Sequence, residues 1–159
     1  MRFSGFRSFA AAAVALAAAL LLAPALAQQA VGPREQLLIA TEAGEKEFEV
    51  EIADDDRETT IGLMFRREMA DDEGMLFDFG VEERRSFWMR NTYIPLDMLF
   101  IRADGTIDSI GKRATPLSEK SVPSKGPVRF VLEINGGLSD RLGIKPGDTV
   151  SGPAIEGRP

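Results

Sequence analysis

The sequence predicts a β-rich α+β domain, a rolled antiparallel sheet or partly closed β-barrel of about eight short strands with two short helices. Three observations carry that expectation. Apolar and polar residues alternate in short runs, as in Phe48-Glu49-Val50-Glu51-Ile52 and again over residues 128–134. Turn residues punctuate the runs, and Asp104-Gly105 between Phe100-Ile101 and Ile107 is the sharpest of these signals. Helix signals are confined to two short segments, one opening at residues 54–58 and one over residues 136–142.

The elements follow in chain order. Arg2 and Arg7 precede an apolar run over residues 9–22, and small residues stand at Ala25 and Ala27. This is the pattern of a secretory signal peptide over residues 1–27, and the run is shorter than the roughly 20 apolar residues that span a bilayer. The protein is therefore expected to be exported, periplasmic or extracellular, with no membrane span after signal cleavage. Residues 28–35 read as a flexible leader with Gly32 and Pro33, residues 36–152 as a single globular domain, and residues 153–159 as a C-terminal tail.

Within the domain, residues 37–41 and 48–52 flank Gly44 as a first hairpin. Asp55 caps a helix, Glu58 three residues on completes the capping box, and Ile61, Met64 and Phe65 share one helix face. The aspartates at 54–56 serve that helix start; consecutive carboxylates cannot all converge on one ion. Strands are expected at residues 75–79, 87–91, 97–103 and 106–112, the last two joined by a type I′ turn at Asp104-Gly105. Three prolines mark residues 115–127 as a long exposed connection. Residues 128–134 form a core strand with Glu133 on the face opposite Phe130 and Leu132. A short helix over 136–142 closes at a left-handed Gly143, Lys145-Pro146-Gly147-Asp148 makes a type II turn, and residues 149–151 form the last strand.

The chain has no cysteine and no histidine. Disulfides, thiolate nucleophiles, Cys/His zinc sites and an imidazole base are excluded, and neither a metal, a cofactor nor a catalytic residue is expected. Removing the signal peptide leaves 17 basic against 25 acidic side chains, a net charge of −8, which disfavours nucleic acid and anionic membrane surfaces as partners.

Residues 87–97 hold the single Trp and the single Tyr of the chain. Read as a strand, period two places Phe87, Met89 and Asn91 on one face and Trp88, Arg90 and Thr92 on the other. An indole beside a guanidinium and a hydroxyl can stack a flat or sugar-like ligand and fix its orientation; packing at a barrel edge is the structural alternative for Trp88. Asp97 opens an apolar strand and needs a partner, with Arg66, Arg90 and the Asn91 amide as the nearest choices in type. Glu133 supplies a second carboxylate, and two carboxylates are what glycosidic hydrolysis requires. The candidate binding residues are thus Arg66, Trp88, Arg90, Asn91, Thr92, Asp97 and Glu133.

Five ordered motifs, Gly62-Leu63-Met64-Phe65-Arg66, Gly74-Met75-Leu76-Phe77, Phe87-Trp88-Met89-Arg90-Asn91-Thr92, Ile94-Pro95-Leu96-Asp97 and Val131-Leu132-Glu133, resemble those of the domain of unknown function 192 family over about residues 36–150. The resemblance implies a compact β-rich fold in a small, often exported prokaryotic protein, and it brings no assigned activity. The expected function is non-catalytic binding of a small polar or glycan ligand. Two alternatives stand beside it: a structural or interaction module with an envelope protein partner, and a carboxylate-based glycan hydrolase using Asp97 and Glu133.

Overall fold

The structure is a computed structural model and describes residues 33–157. The expected signal peptide and most of the leader lie outside the described residues. Seven strands, β1 (Arg34–Thr41), β2 (Gly44–Ala53), β3 (Glu73–Phe87), β4 (Leu96–Ile101), β5 (Ile107–Ala114), β6 (Val122–Asn135) and β7 (Thr149–Ser151), form one sheet in the order β5-β4-β6-β3-β2-β1-β7. Three short helices accompany it: α1 (Asp56–Ile61), α2 (Leu138–Leu142) and α3 (Pro153–Glu156). The sheet rolls until its ends meet. Thr106 bridges Thr149, the Ile107 amide donates to Asp148 O at 2.9 Å, and the Val150 amide donates to Gly105 O at 2.8 Å. The paired strands run antiparallel except β2 and β3, which are parallel because α1 and the following loop carry the chain back across the sheet.

The enclosed face holds Leu37, Phe48, Leu76, Leu99, Phe130 and Leu132, with Leu138, Ala154 and Ile155 of the helices packed against them. A second cluster, around Met75, Phe77, Met98, Phe100 and Val131, lies on the opposite face of the central strands β3, β4 and β6. These strands are thus buried on both sides, and every residue of β4 is buried. The second face is covered by irregular chain over residues 62–69 and 88–95, whose Leu63, Met89 and Ile94 belong to the same cluster.

Local signals held where local chemistry decided them. The Glu58 amide donates to the Asp55 carboxylate at 2.7 Å, while the Glu58 carboxylate accepts from the Asp54 amide, one residue before the cap. Gly143 is left-handed at φ +74°, and Ile144 packs back into the core. Gly147 has φ +96° and the Asp148 amide donates to Lys145 O, as the type II turn requires.

Elsewhere the structure corrects the expectation. Residues 87–91 are not a strand: β3 ends at Phe87, and Met89 to Thr92 form a turn whose third residue, Asn91, has φ +56°. The count falls from eight strands to seven, and the two-faced arrangement of residues 87–92 goes with it. α1 ends at Ile61, so Met64 and Phe65 leave its face; Gly62, at φ +48°, breaks the helix where a Cβ would meet the Phe77 ring at 2.9 Å. The 104–105 hairpin is a three-residue loop. The Gly105 amide donates to Arg102 O, Gly105 alone is left-handed, and the Asp104 carboxylate accepts from the Thr106 amide. The exposed connection shortens to residues 115–121 because β6 already begins at Val122. Pro123 and Pro127 lie opposite Ser86 and Arg84, beside irregular register, where the ladder does not demand their missing N–H. At the ends, β1 starts at Arg34 and α3 continues the fold past Gly152.

Candidate functional site

The loop over residues 62–69 is anchored from below. Arg66 donates both terminal nitrogens to Glu51, Nη1 to Oε1 and Nη2 to Oε2, each at 2.8 Å. Glu51 is buried on the second face of β2, and Arg34 reaches the same carboxylate at 3.4 Å. A bidentate guanidinium is the strongest common partner for a buried carboxylate, and here it pins the loop to the sheet. The sequence pattern assigned Glu51 to solvent, as the polar half of an alternating strand, and so missed it. The Asn91 carbonyl accepts the Phe65 amide at 2.7 Å, and the Asn91 side-chain amide donates to the Met64 sulfur at 3.8 Å. Arg66 and Asn91 therefore shape one wall of the site.

That wall, the end of β3 and Trp88 enclose a cleft of about 150 Å³. Phe77, Phe79, Phe87 and Trp88 give it an aromatic lining, with Phe77 and Phe87 edge to face at 5.1 Å. Trp88 is 47% exposed at the rim, and the Arg90 guanidinium lies 5.5 Å from its ring centre. Thr92 is buried in the cleft wall and spends its hydroxyl proton on Arg90 O at 3.3 Å. Thr59 and Thr60, which also line the cleft, donate in the same way to Asp55 O and Asp56 O, which leaves each hydroxyl oxygen with acceptor capacity only.

Glu133 lies at the floor. It is 4% exposed and is paired across the sheet with Met75 on β3 and Met98 on β4. No other described residue hydrogen-bonds or ion-pairs with its carboxyl group. Burial pushes its pKa up to about 8, so it stands neutral at pH 7 and carries one O–H donor beside one carbonyl acceptor. A buried polar group without a partner costs about 1–3 kcal/mol. The carboxyl group thus lines the cleft with no partner among the described residues.

Asp97 lies elsewhere. It pairs with Ile134, whose side chain belongs to the enclosed face, whereas Glu133 and Met98 belong to the other. None of Arg66, Arg90 or Asn91 is its partner. Its Oδ1 accepts from the amides of Arg113 at 2.7 Å and Gly137 at 2.8 Å, and its Oδ2 from the amide and hydroxyl of Ser139 at 3.0 and 2.5 Å. Four donors saturate the carboxylate and tie β5 and the start of α2 to β4. Because Asp97 and Glu133 project from opposite faces of the sheet, the two cannot flank one glycosidic bond. Of the seven candidate residues, Trp88, Thr92 and Glu133 line the cleft, Arg90 borders it, Arg66 and Asn91 hold its wall, and Asp97 is apart.

Among solved structures, the chain is similar to a protein of Sinorhizobium meliloti 1021 described as a "putative transcription regulator", with 47% identity, a TM-score of 0.75, and 77% of this chain and 95% of that one covered. It is also similar to a protein of unknown function from Novosphingobium aromaticivorans DSM 12444, with 45% identity, a TM-score of 0.72, and 73% and 83% covered. No curated protein matches the chain. The family model of domain of unknown function 192, described as "Uncharacterized ACR, COG1430", matches residues 38–152. With the five motifs of the sequence all falling inside the matched residues, the chain belongs to the domain of unknown function 192 family.

Proposed function

We propose that the protein is an exported, non-catalytic binding module whose cleft receives one ring of a small polar ligand, such as a terminal sugar of an envelope glycan. The observation that carries this reading is Glu133, an unpartnered carboxyl group at the floor of an aromatic cleft. A ring stacked against Trp88 would bury its apolar face, and adjacent hydroxyls or an amide would meet the donor and acceptor of neutral Glu133. The volume of about 150 Å³ is half the lower bound of about 300 Å³ common for drug-sized ligands, which favours a single ring over an extended molecule. Direct contact with nucleic acid has weak electrostatic support here. The formal charge is −6, and Arg34, Arg66, Arg102, Arg129 and Arg141 are each paired with a carboxylate.

The single indole makes the test direct. Trp88 emission is followed while neutral envelope sugars, amino sugars and their N-acetyl derivatives are added. A saturable change that Glu133→Leu abolishes, while that variant melts no lower than the wild type, supports the reading. Unchanged emission across the panel, or unchanged affinity in Glu133→Leu, overturns it.

A further inference from the structure

Three turns beside the cleft share one construction. Leu63 to Arg66, Met89 to Thr92 and Thr115 to Ser118 each close with the fourth amide donating to the first carbonyl, at 3.3, 3.1 and 3.2 Å. In each the third residue has a positive φ: Phe65 at +64°, Asn91 at +56° and Leu117 at +61°. Glycine or asparagine takes that position at little cost, and Pro116 before Leu117 is the usual second residue of such a turn. Phe and Leu do not fit it without strain. The turns are also stitched together. The Phe65 amide donates to Asn91 O, the Leu117 amide to Thr92 O at 3.0 Å, and the Met89 amide to Ser118 O at 2.8 Å.

Strain of this kind is ordinarily offset by burying the side chain concerned. Here it does the reverse, for Phe65 is 51% and Leu117 58% exposed. Tyr93, next to the middle turn, is exposed too, and its ring meets Phe65 edge to face at 6.3 Å. Among the described residues, the exposed large apolar side chains are Phe65, Val81, Trp88, Tyr93 and Leu117, and all but Val81 come from these three turns and their flanks. Backbone strain spent on holding apolar groups in water marks a working surface.

Charge indicates its occupant. Arg67 lies over the Tyr93 ring at 5.5 Å and Arg90 over the Trp88 ring at 5.5 Å. Neither has an ion-pair partner among the described residues, in a chain whose formal charge is −6. We infer that the Phe65, Tyr93 and Leu117 surface is a docking site for an acidic protein segment that places apolar side chains on the rings and carboxylates on Arg67 and Arg90. The inference does not depend on a ligand in the cleft. Arg67 and Arg90 attract the few carboxylates of a short segment at contact range, where screening cuts off the rest of the chain, whereas a second whole copy or an anionic bilayer would bring extended like charge against the net charge of −6.

The probes are three fluorescent hexapeptides, of alternating Glu and Phe, of alternating Lys and Phe, and of alternating Glu and Ser, titrated against the protein by anisotropy. Binding of the Glu-Phe peptide at least tenfold tighter than either counterpart is expected, with a further tenfold loss in Arg67→Ala/Arg90→Ala. Leu117→Gly and Phe65→Gly should each weaken it tenfold while melting at or above the wild-type temperature, because glycine relieves the strain. Glu133→Leu should leave peptide binding unchanged, which separates this surface from the cleft. Equal binding of the Lys-Phe or Glu-Ser peptide, no binding of the Glu-Phe peptide, or full binding by the glycine variants overturns the inference. So does co-sedimentation with phosphatidylglycerol vesicles, or self-association in sedimentation velocity, that Leu117→Gly abolishes.

Discussion

Replacing Glu133 by glutamine keeps the shape of the side chain and removes only its proton equilibrium, so the variant isolates what burial does to this carboxyl group. Burial raises its pKa from 4.5 to about 8. Above pH 4.5 the unfolded chain releases the proton while the folded protein holds it to about pH 8, so the folded state loses relative stability as pH rises through that window. At about 1.4 kcal/mol per pH unit, the whole shift corresponds to about 5 kcal/mol, of which about 3.5 kcal/mol falls between pH 5 and pH 8. Urea denaturation of wild type and Glu133→Gln at the two pH values measures it. Every other titrating group is common to both proteins and cancels in the comparison. With a urea slope of about 1.5 kcal/mol per molar, the wild-type midpoint should fall by about 2 M more than that of the variant. Parallel loss in the two proteins would mean that Glu133 ionises at an ordinary pH, that water reaches it freely, and that the neutral donor at the cleft floor does not exist.

The remaining predictions test the supports of the site. Arg66→Met should cost about 3 kcal/mol by leaving buried Glu51 with only the longer contact to Arg34, whereas Glu51→Leu/Arg66→Met should recover most of that; denaturation of the two single variants and the double closes the cycle. Asp97→Asn should lose about 3 kcal/mol, roughly 10 °C in Tm, because an amide NH2 must face part of a ring of four donors. A near-native melting curve would contradict that account. Asp55→Ala should cost only about 1 kcal/mol, since it removes one cap bond from an exposed six-residue helix.

These magnitudes divide along the same line as the legibility of the molecule. The Asp55 cap, the left-handed Gly143 and the 145–148 turn were readable because each depends on residues within four positions of one another. The alternation of residues 48–52 and 128–134 identified strands because side chains point to opposite faces whatever lies beyond them. That same alternation misplaced Glu51 by taking the polar half of a strand for the solvent side. It also set Glu133 on its correct face without revealing that this face is covered.

By itself the sequence determined the class of the fold, the positions of most strands and turns, and the chemical restriction that follows from having no cysteine or histidine. The tertiary structure alone decided which polar groups are satisfied. Asp97 finds its donors in the amides of Arg113, Gly137 and Ser139, and backbone amides carry no residue-type signal. Glu133 finds no partner because the chain over residues 62–69 and 88–95, which folds across the outside of the sheet, covers it without placing a donor or acceptor beside its carboxyl group. Burial depends on which distant segment covers a face, and no periodicity within a strand records that.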